Sequence, residues 1–207
     1  METLKVALLD FNARHGGGYV AFANLARALS ERGHEVHLIL GTKNIPGRLA
    51  SMLLPDCHLH YTLGYRNIFD VPRLMNRTNS NLLKLYRACK FDILNVQGIS
   101  GLFVPLELHN RLIVTLHGNN LVRGLTLLKC TYRSLDMLQA TGYAFNNYMR
   151  NVLGHFAYGN LEKKVCKRAK LVIALTKRET YYAKEYYHLS EEKIRMVPNS
   201  VVLPKDS

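Results

Sequence analysis

Three successive glycines, Gly16, Gly17 and Gly18, follow soon after a short apolar run, Lys5–Asp10, that ends in an aspartate. Glycines leave the backbone open to close approach. A helix that begins there adds unpaired N–H groups and the positive end of its dipole. A phosphate is the group such a loop suits, and a diphosphate suits it best. Gly16, Gly18 and Ala21 also satisfy G-x-G-x-x-G/A, the pattern of a dinucleotide site. Two features oppose that reading. Phe11–His15 separate the strand end from the first glycine, which lengthens a turn that has to be tight. The second apolar run ends Leu40-Gly-Thr-Lys43, with no acidic residue to hold a ribose. The loop therefore reads as a phosphate cradle, with a plain connecting turn as the alternative.

The elements that must position this loop are legible on either side of it. Phe22, Leu25, Ala26 and Leu29 form one stripe of an amphipathic helix, and Gly33 stands where such a helix ends. Val36–Leu40 resumes as a strand and completes a βαβ unit. Pro46, Pro55 and Pro72 predict short strands and loops over residues 41–75. Further strands are expected at Phe91–Val96, Leu112–Leu116, Leu171–Leu175 and Lys193–Val197. Helices are expected at Asn79–Cys89, Asn160–Ala169 and Lys177–Tyr187, while residues 119–154 carry no pattern that fixes a shape. Alternating strands and helices imply the α/β class: a single Rossmann-like domain, its sheet mostly parallel, with helices on both faces. Such sheets bind ligands at the carboxyl ends of their strands. The chemistry should then lie in the loops after Asp10, Val96, Leu116, Leu175 and Val197.

Composition narrows the partners. The 207 residues include 28 Lys and Arg against 15 Asp and Glu, a formal net charge of +13. The excess concentrates at residues 63–90 and 119–170, the second stretch interleaved with Tyr132, Tyr143, Phe145, Tyr148, Phe156 and Tyr158. A field of that sign draws phosphates, nucleic acid or an anionic membrane face. The aromatic and basic mixture suits docking to anionic lipid, with a solvated basic face as the alternative. Nucleic acid is disfavoured, because no recognised binding motif accompanies the charge. No apolar run reaches the ~18 residues of a membrane span. The acidic start, Met1–Thr3, and the early stop at Asp10 are unlike a secretory leader. A cytoplasmic protein is expected, at most peripheral at the inner face of a membrane. Cys57, Cys89, Cys130 and Cys166 offer no C-x-x-C pair and read as reduced thiols. His58-x-His60 and His34-x-x-His37 have ligand-like spacing but belong to no recognisable ligand set, so no metal and no other cofactor is expected.

Several segments recur in a familiar order. The first strand and its glycine loop lead into Asn24-Leu-Ala-x-x-Leu29 and Arg32-Gly-His-Glu-Val36. Val114-Thr-Leu-His117, Ala169–Thr176 and Lys193–Asn199 follow in register. Together they resemble the group 1 (family 4) glycosyltransferases of the GT-B fold, over nearly the whole chain. The resemblance implies a retaining enzyme that moves a sugar from a nucleotide-sugar donor to a glycan, lipid or lipid-linked acceptor. It implies that Gly16, Gly17 and Gly18 face the donor diphosphate and that His117 lies near the reacting sugar. Asn119, Asn120, Thr176 and Asn199, placed after strand ends, become candidates for acceptor or sugar hydroxyls.

Departures from the family pattern are equally informative. Lys170 stands where the family has Asp, Thr176 where it has Ser, and Ser200 where it has Gly. Gln97 occupies the place of a frequent second histidine. The family's Glu-x7-Glu signature, which holds the donor nucleotide, has no counterpart, since no two glutamates here stand eight positions apart. The expected organisation is an N-terminal acceptor-side domain over residues 1–200 and the start of a hinge over 201–207. The donor-binding C-terminal domain would lie outside this sequence, in cis or in trans, and the chain alone would be inactive. Two other classes stay open: a catalytically inactive module for a phosphorylated ligand or protein partner, and a nucleic-acid-binding domain.

Overall fold

The interior strands of the sheet have residues that alternate between two buried faces. In the computed structural model, which describes residues 2–11, 17–41, 57–62, 71–118, 120–132 and 142–199, seven strands run parallel throughout. They are β1 (Lys5–Asp10), β2 (Glu35–Leu40), β3 (His58–Tyr61), β4 (Ile93–Gln97), β5 (Leu112–Thr115), β6 (Leu171–Ala174) and β7 (Ile194–Met196). The spatial order is β3-β2-β1-β4-β5-β6-β7. The chain thus builds outward from β1 to one edge, then returns and builds outward from β4 to the other. That reversal leaves a crevice at the carboxyl ends of β1 and β4, where no crossover helix can sit over both.

Helix α1 (Gly17–Glu31) covers one face. Its Phe22, Ala23 and Ala26 are buried against Val6, Leu8, Val36, Leu38 and Leu40. The helix stops because Gly33 adopts a left-handed φ of 81°. Its N–H then donates to the Ser30 carbonyl at 2.9 Å while the His34 N–H reaches Leu29 at 3.1 Å, a Schellman closure. The opposite face carries Leu94, Val96, Leu112, Val114, Val172 and Ala174. It is packed by α2 (Val71–Cys89), α4 (Gly142–Arg168) and α5 (Lys177–Glu185), with α3 (Asn120–Tyr132) lying on α4.

The structure resolves two stretches that sequence periodicity leaves unreadable. Helix α2 begins at Val71, eight residues before the expected start, with Pro72 in its first turn, where a missing N–H costs nothing. Residues 120–132 and 142–168 are helical, so the expected short helix at Asn160–Ala169 is the last third of a 27-residue one. Its pattern was hidden because α4 touches several partners around its circumference. Gly159 is one such contact: a Cβ there would lie 2.7 Å from the Leu121 backbone nitrogen, so α3 and α4 meet nearly backbone to backbone.

Candidate functional site

The crevice begins where α1 starts. Gly18, in the first turn, lies against the imidazole of His117, which follows β5; a Cβ at Gly18 would stand 3.5 Å from His117 Cγ and 3.6 Å from Nδ1. Two loops far apart in sequence therefore converge at the switch point. Gly17 opens the same helix, whereas Gly16 lies outside the described residues.

A buried polar string holds His117 in place. Asn95, Gln97 and Thr115 point to the α1 side of the sheet, between apolar residues that point the other way. The Asn95 side-chain amide donates to Thr115 Oγ1 at 2.9 Å, and Gln97 Nε2 donates to Asn95 Oδ1 at 2.9 Å. Gln97 then has only its Oε1 to offer, and His117 Nε2 is bonded to it. The order of donors fixes the tautomer: Nε2 carries the proton and Nδ1 keeps its lone pair, while the ring lies against Gly18. Burial pushes the His117 imidazole below the ordinary histidine range, against a smaller upward pull from the Glu179 carboxylate. A neutral ring with one acceptor nitrogen at the crevice is suited to receiving a hydroxyl proton in a hydrogen bond.

A cavity of about 300 Å³ opens beside this ring. Gln97, Thr115 and His117 form its floor, Asn24 and Ala28 of α1 with Arg32 just after it one wall, and Val197–Asn199 the other. A second cavity of about 530 Å³ lies past Gly118 and is lined by Arg123, His155, Arg178, Glu179 and Tyr182. The Arg123 guanidinium donates to the His117 carbonyl at 3.2 Å and so stands between the two.

The sequence candidates divide accordingly. His117 and Asn199 line the smaller cavity, and Gly18 lies against the His117 ring. Thr176 lines the larger one, but its hydroxyl accepts from the Glu179 N–H at 3.0 Å and caps α5. Asn120 turns inward, donating to Glu162 Oε2 at 3.3 Å. Asn119 lies outside the described residues. Sequence reasoning did not select Asn95, Arg32, Arg123 or Glu162, and noted Gln97 only as a departure. A signal was available for two of them. Asn95 and Gln97 occupy alternate positions of an otherwise apolar central strand, so both must point the same way into a buried layer.

Glu162 is buried, and burial pushes its carboxyl above the usual carboxylate range. Hydrogen bonds from Tyr187 and from the Asn120 backbone and side chain oppose that shift. Lying on α4 beside Asn120, the first residue of α3, Glu162 is the partner of that helix's N-terminus.

The sequence profile of Glycosyltransferase Family 4 matches residues 15–203, a span that begins at the glycine loop and includes every strand from β2 onward. The chain belongs to glycosyltransferase family 4. No curated protein matches the sequence. Several solved glycosyltransferases share the fold. Sucrose-phosphate synthase from Thermosynechococcus elongatus superposes with a TM-score of 0.66 at 14% identity, over 94% of this chain and 48% of that one. A glycosyltransferase from Rickettsia africae ESF-5 gives 0.56 at 14%, over 96% and 43%. A UDP-glucosyltransferase from Polygonum tinctorium gives 0.56 at 14%, over 100% and 54%. The family 4 chain thus spans about half the length of these structures, and its sheet corresponds to one Rossmann-like half of the GT-B fold. Among its described residues no helix is long and apolar enough to cross a membrane.

Proposed function

We propose that this chain provides the acceptor-side lobe of a retaining, nucleotide-sugar-dependent glycosyltransferase. The Gly17–Gly18 amides would stabilise the donor diphosphate and His117 would hold a sugar hydroxyl. The observation that carries this reading is the contact between Gly18, at the start of α1, and the His117 ring, at the point where strand order reverses. Departure of a nucleoside diphosphate develops negative charge, which exposed helix-terminal amides meet without reorganising. The neutral His117 Nδ1 accepts from a hydroxyl of the transferred sugar, and Arg32 and Asn199 frame the same cavity.

The larger cavity, with Arg123, Arg178, Tyr182 and His155, is the candidate for an acceptor that bears a phosphate or carboxylate. Lipid-linked acceptors fit its surroundings, because Leu153 is exposed near Arg150 on α4 and the chain is strongly basic. A second lobe, in cis or in trans, would hold the donor nucleotide. The half-length match to solved enzymes supports that arrangement. UDP is the first nucleotide to test, since the Polygonum tinctorium enzyme of the same fold is a UDP-glucosyltransferase.

The test is sugar transfer by the protein with its donor-binding lobe present, in cis or supplied in trans, from a panel of labelled nucleotide sugars to anionic-lipid and glycan acceptors. Transfer that falls by about 10²-fold or more in His117→Ala, with folding retained, is the expected result. Binding of phosphate ligands without transfer from any donor, or transfer indifferent to His117→Ala, would refute the assignment.

A further inference from the structure

Away from the crevice, the fold assembles a cluster that sequence spacing does not. His37 of β2, His60 of β3 and Cys89 at the end of α2 each offer a ligand atom, and the three atoms lie within 4.8 Å of one another. Atoms no further apart than that share a point about 2.8 Å or less from all three. Bonds to zinc of about 2.0–2.3 Å then require side-chain movements of less than about 1 Å.

The surroundings are those of a metal ligand rather than of an incidental histidine pair. His37 Nε2 lies 2.9 Å from Glu35 Oε1, and Glu35 is anchored in turn by Lys5 at 3.0 Å. A carboxylate on one ring nitrogen keeps the proton there and leaves Nδ1 as a lone pair. That Nδ1 faces His60 Nε2 at 3.0 Å, while His58 stacks on the His37 ring with centroids 4.9 Å apart. His37 is buried and His60 and Cys89 are half-buried. His60 also borders a cavity of about 520 Å³ between β3 and α2, which supplies a route for an ion from solvent.

We propose that His37, His60 and Cys89 bind one zinc ion, with Glu35 as the outer carboxylate on His37 and a water in the fourth position. Two imidazoles and a thiolate are donors that zinc takes readily and that magnesium or calcium does not. Binding releases the Cys89 thiol proton to solvent. The site lies on the sheet face opposite the crevice: His37 pairs with Ala7, which pairs with Leu94, whereas Asn95 and Gln97 point the other way. The ion therefore acts as a clip, fastening edge strand β3 and the end of α2 to the interior strand β2.

The experiment uses the full chain without an affinity tag, stripped with chelator and titrated with Zn²⁺ against a chromophoric competitor. Co²⁺ serves as the spectroscopic probe. The expected result is one equivalent bound, a thiolate-to-cobalt charge-transfer band, and a higher Tm with zinc. Cys89→Ser should abolish the band, and Cys57→Ser should keep it. Glu35→Gln should weaken zinc binding by about 10- to 100-fold. His60 is half-buried, so His60→Gln is the variant expected to fold normally while losing the site. The proposal is overturned by the absence of stoichiometric binding, by binding that survives both Cys89→Ser and His60→Gln, or by a band that depends on Cys57 instead.

Discussion

Gly18→Ala separates the structural from the chemical role of the glycine loop. Position 18 lies inside α1, and the added methyl would meet His117 Cγ, Nδ1 and Cδ2 at 3.5, 3.6 and 3.8 Å, ordinary van der Waals distances. Nothing has to move, so the helix should gain the intrinsic advantage of alanine over glycine, about 0.4–1 kcal/mol. For a domain of this size that raises Tm by about 1–4 °C. The same methyl lies against the His117 ring and crowds the Gly18 amide, which a diphosphate has to approach. Loss of one hydrogen bond to a charged group costs about 1.5–3 kcal/mol, or about 10- to 150-fold in donor affinity. Thermal unfolding followed by circular dichroism, beside calorimetric titration of nucleotide and pyrophosphate, reads both quantities on one preparation. A variant that is more stable and binds poorly supports the cradle. Unchanged binding would refute the reasoning, and so would a loss of stability, which would mean that α1 and His117 are packed more tightly than these distances allow.

Other expectations follow from the same contacts. Gln97→Glu keeps the acceptor for His117 Nε2 but adds a negative charge, so the His117 pKa should rise, as read by imidazole NMR. Because the His117 pKa is depressed in the folded state, the unfolded chain takes up its proton first. Its contribution to stability should be complete above the ordinary histidine range and lost as pH falls toward the lowered value; wild type minus His117→Gln in urea unfolding isolates it. Glu162→Leu leaves Tyr187 and Asn120 without their partner and should cost about 1–3 kcal/mol for each buried group stranded, whereas Glu162→Gln should cost much less. Since the Glu162 pKa is raised in the fold, wild type should also lose stability relative to Glu162→Gln as pH rises through that raised value. Gly159→Ala forces α3 and α4 apart and should lower stability by about 1–3 kcal/mol in the same unfolding assay.

The first βαβ unit was legible because buried strands and their helices write simple patterns. Lys5–Asp10, the stripe Phe22–Leu29 and the stop at Gly33 all appear in the structure where periodicity and helix-ending chemistry put them. The α3–α4 region was not legible, because a helix that contacts sheet, turn and another helix has no single apolar stripe to read. At the site, strand-end logic located the crevice but could not foresee partners. Asn120 was available as a hydroxyl ligand until α4 brought Glu162 to it across 42 positions. The histidines failed in the opposite direction. Glu35 and Cys57 stood beside His34, His37 and His58 in the sequence, yet the residue that completes the cluster is Cys89, far along the chain at the end of α2.

The central claim is that amides at the start of α1, backed by His117, receive a diphosphate. Amide chemical shifts of Gly17 and Gly18 during titration with UDP and, separately, with pyrophosphate measure it most directly. Both amides should move saturably with either ligand, and the His117 ring signals should move with them. Saturation of shifts elsewhere on the chain, with these three unchanged, would contradict it.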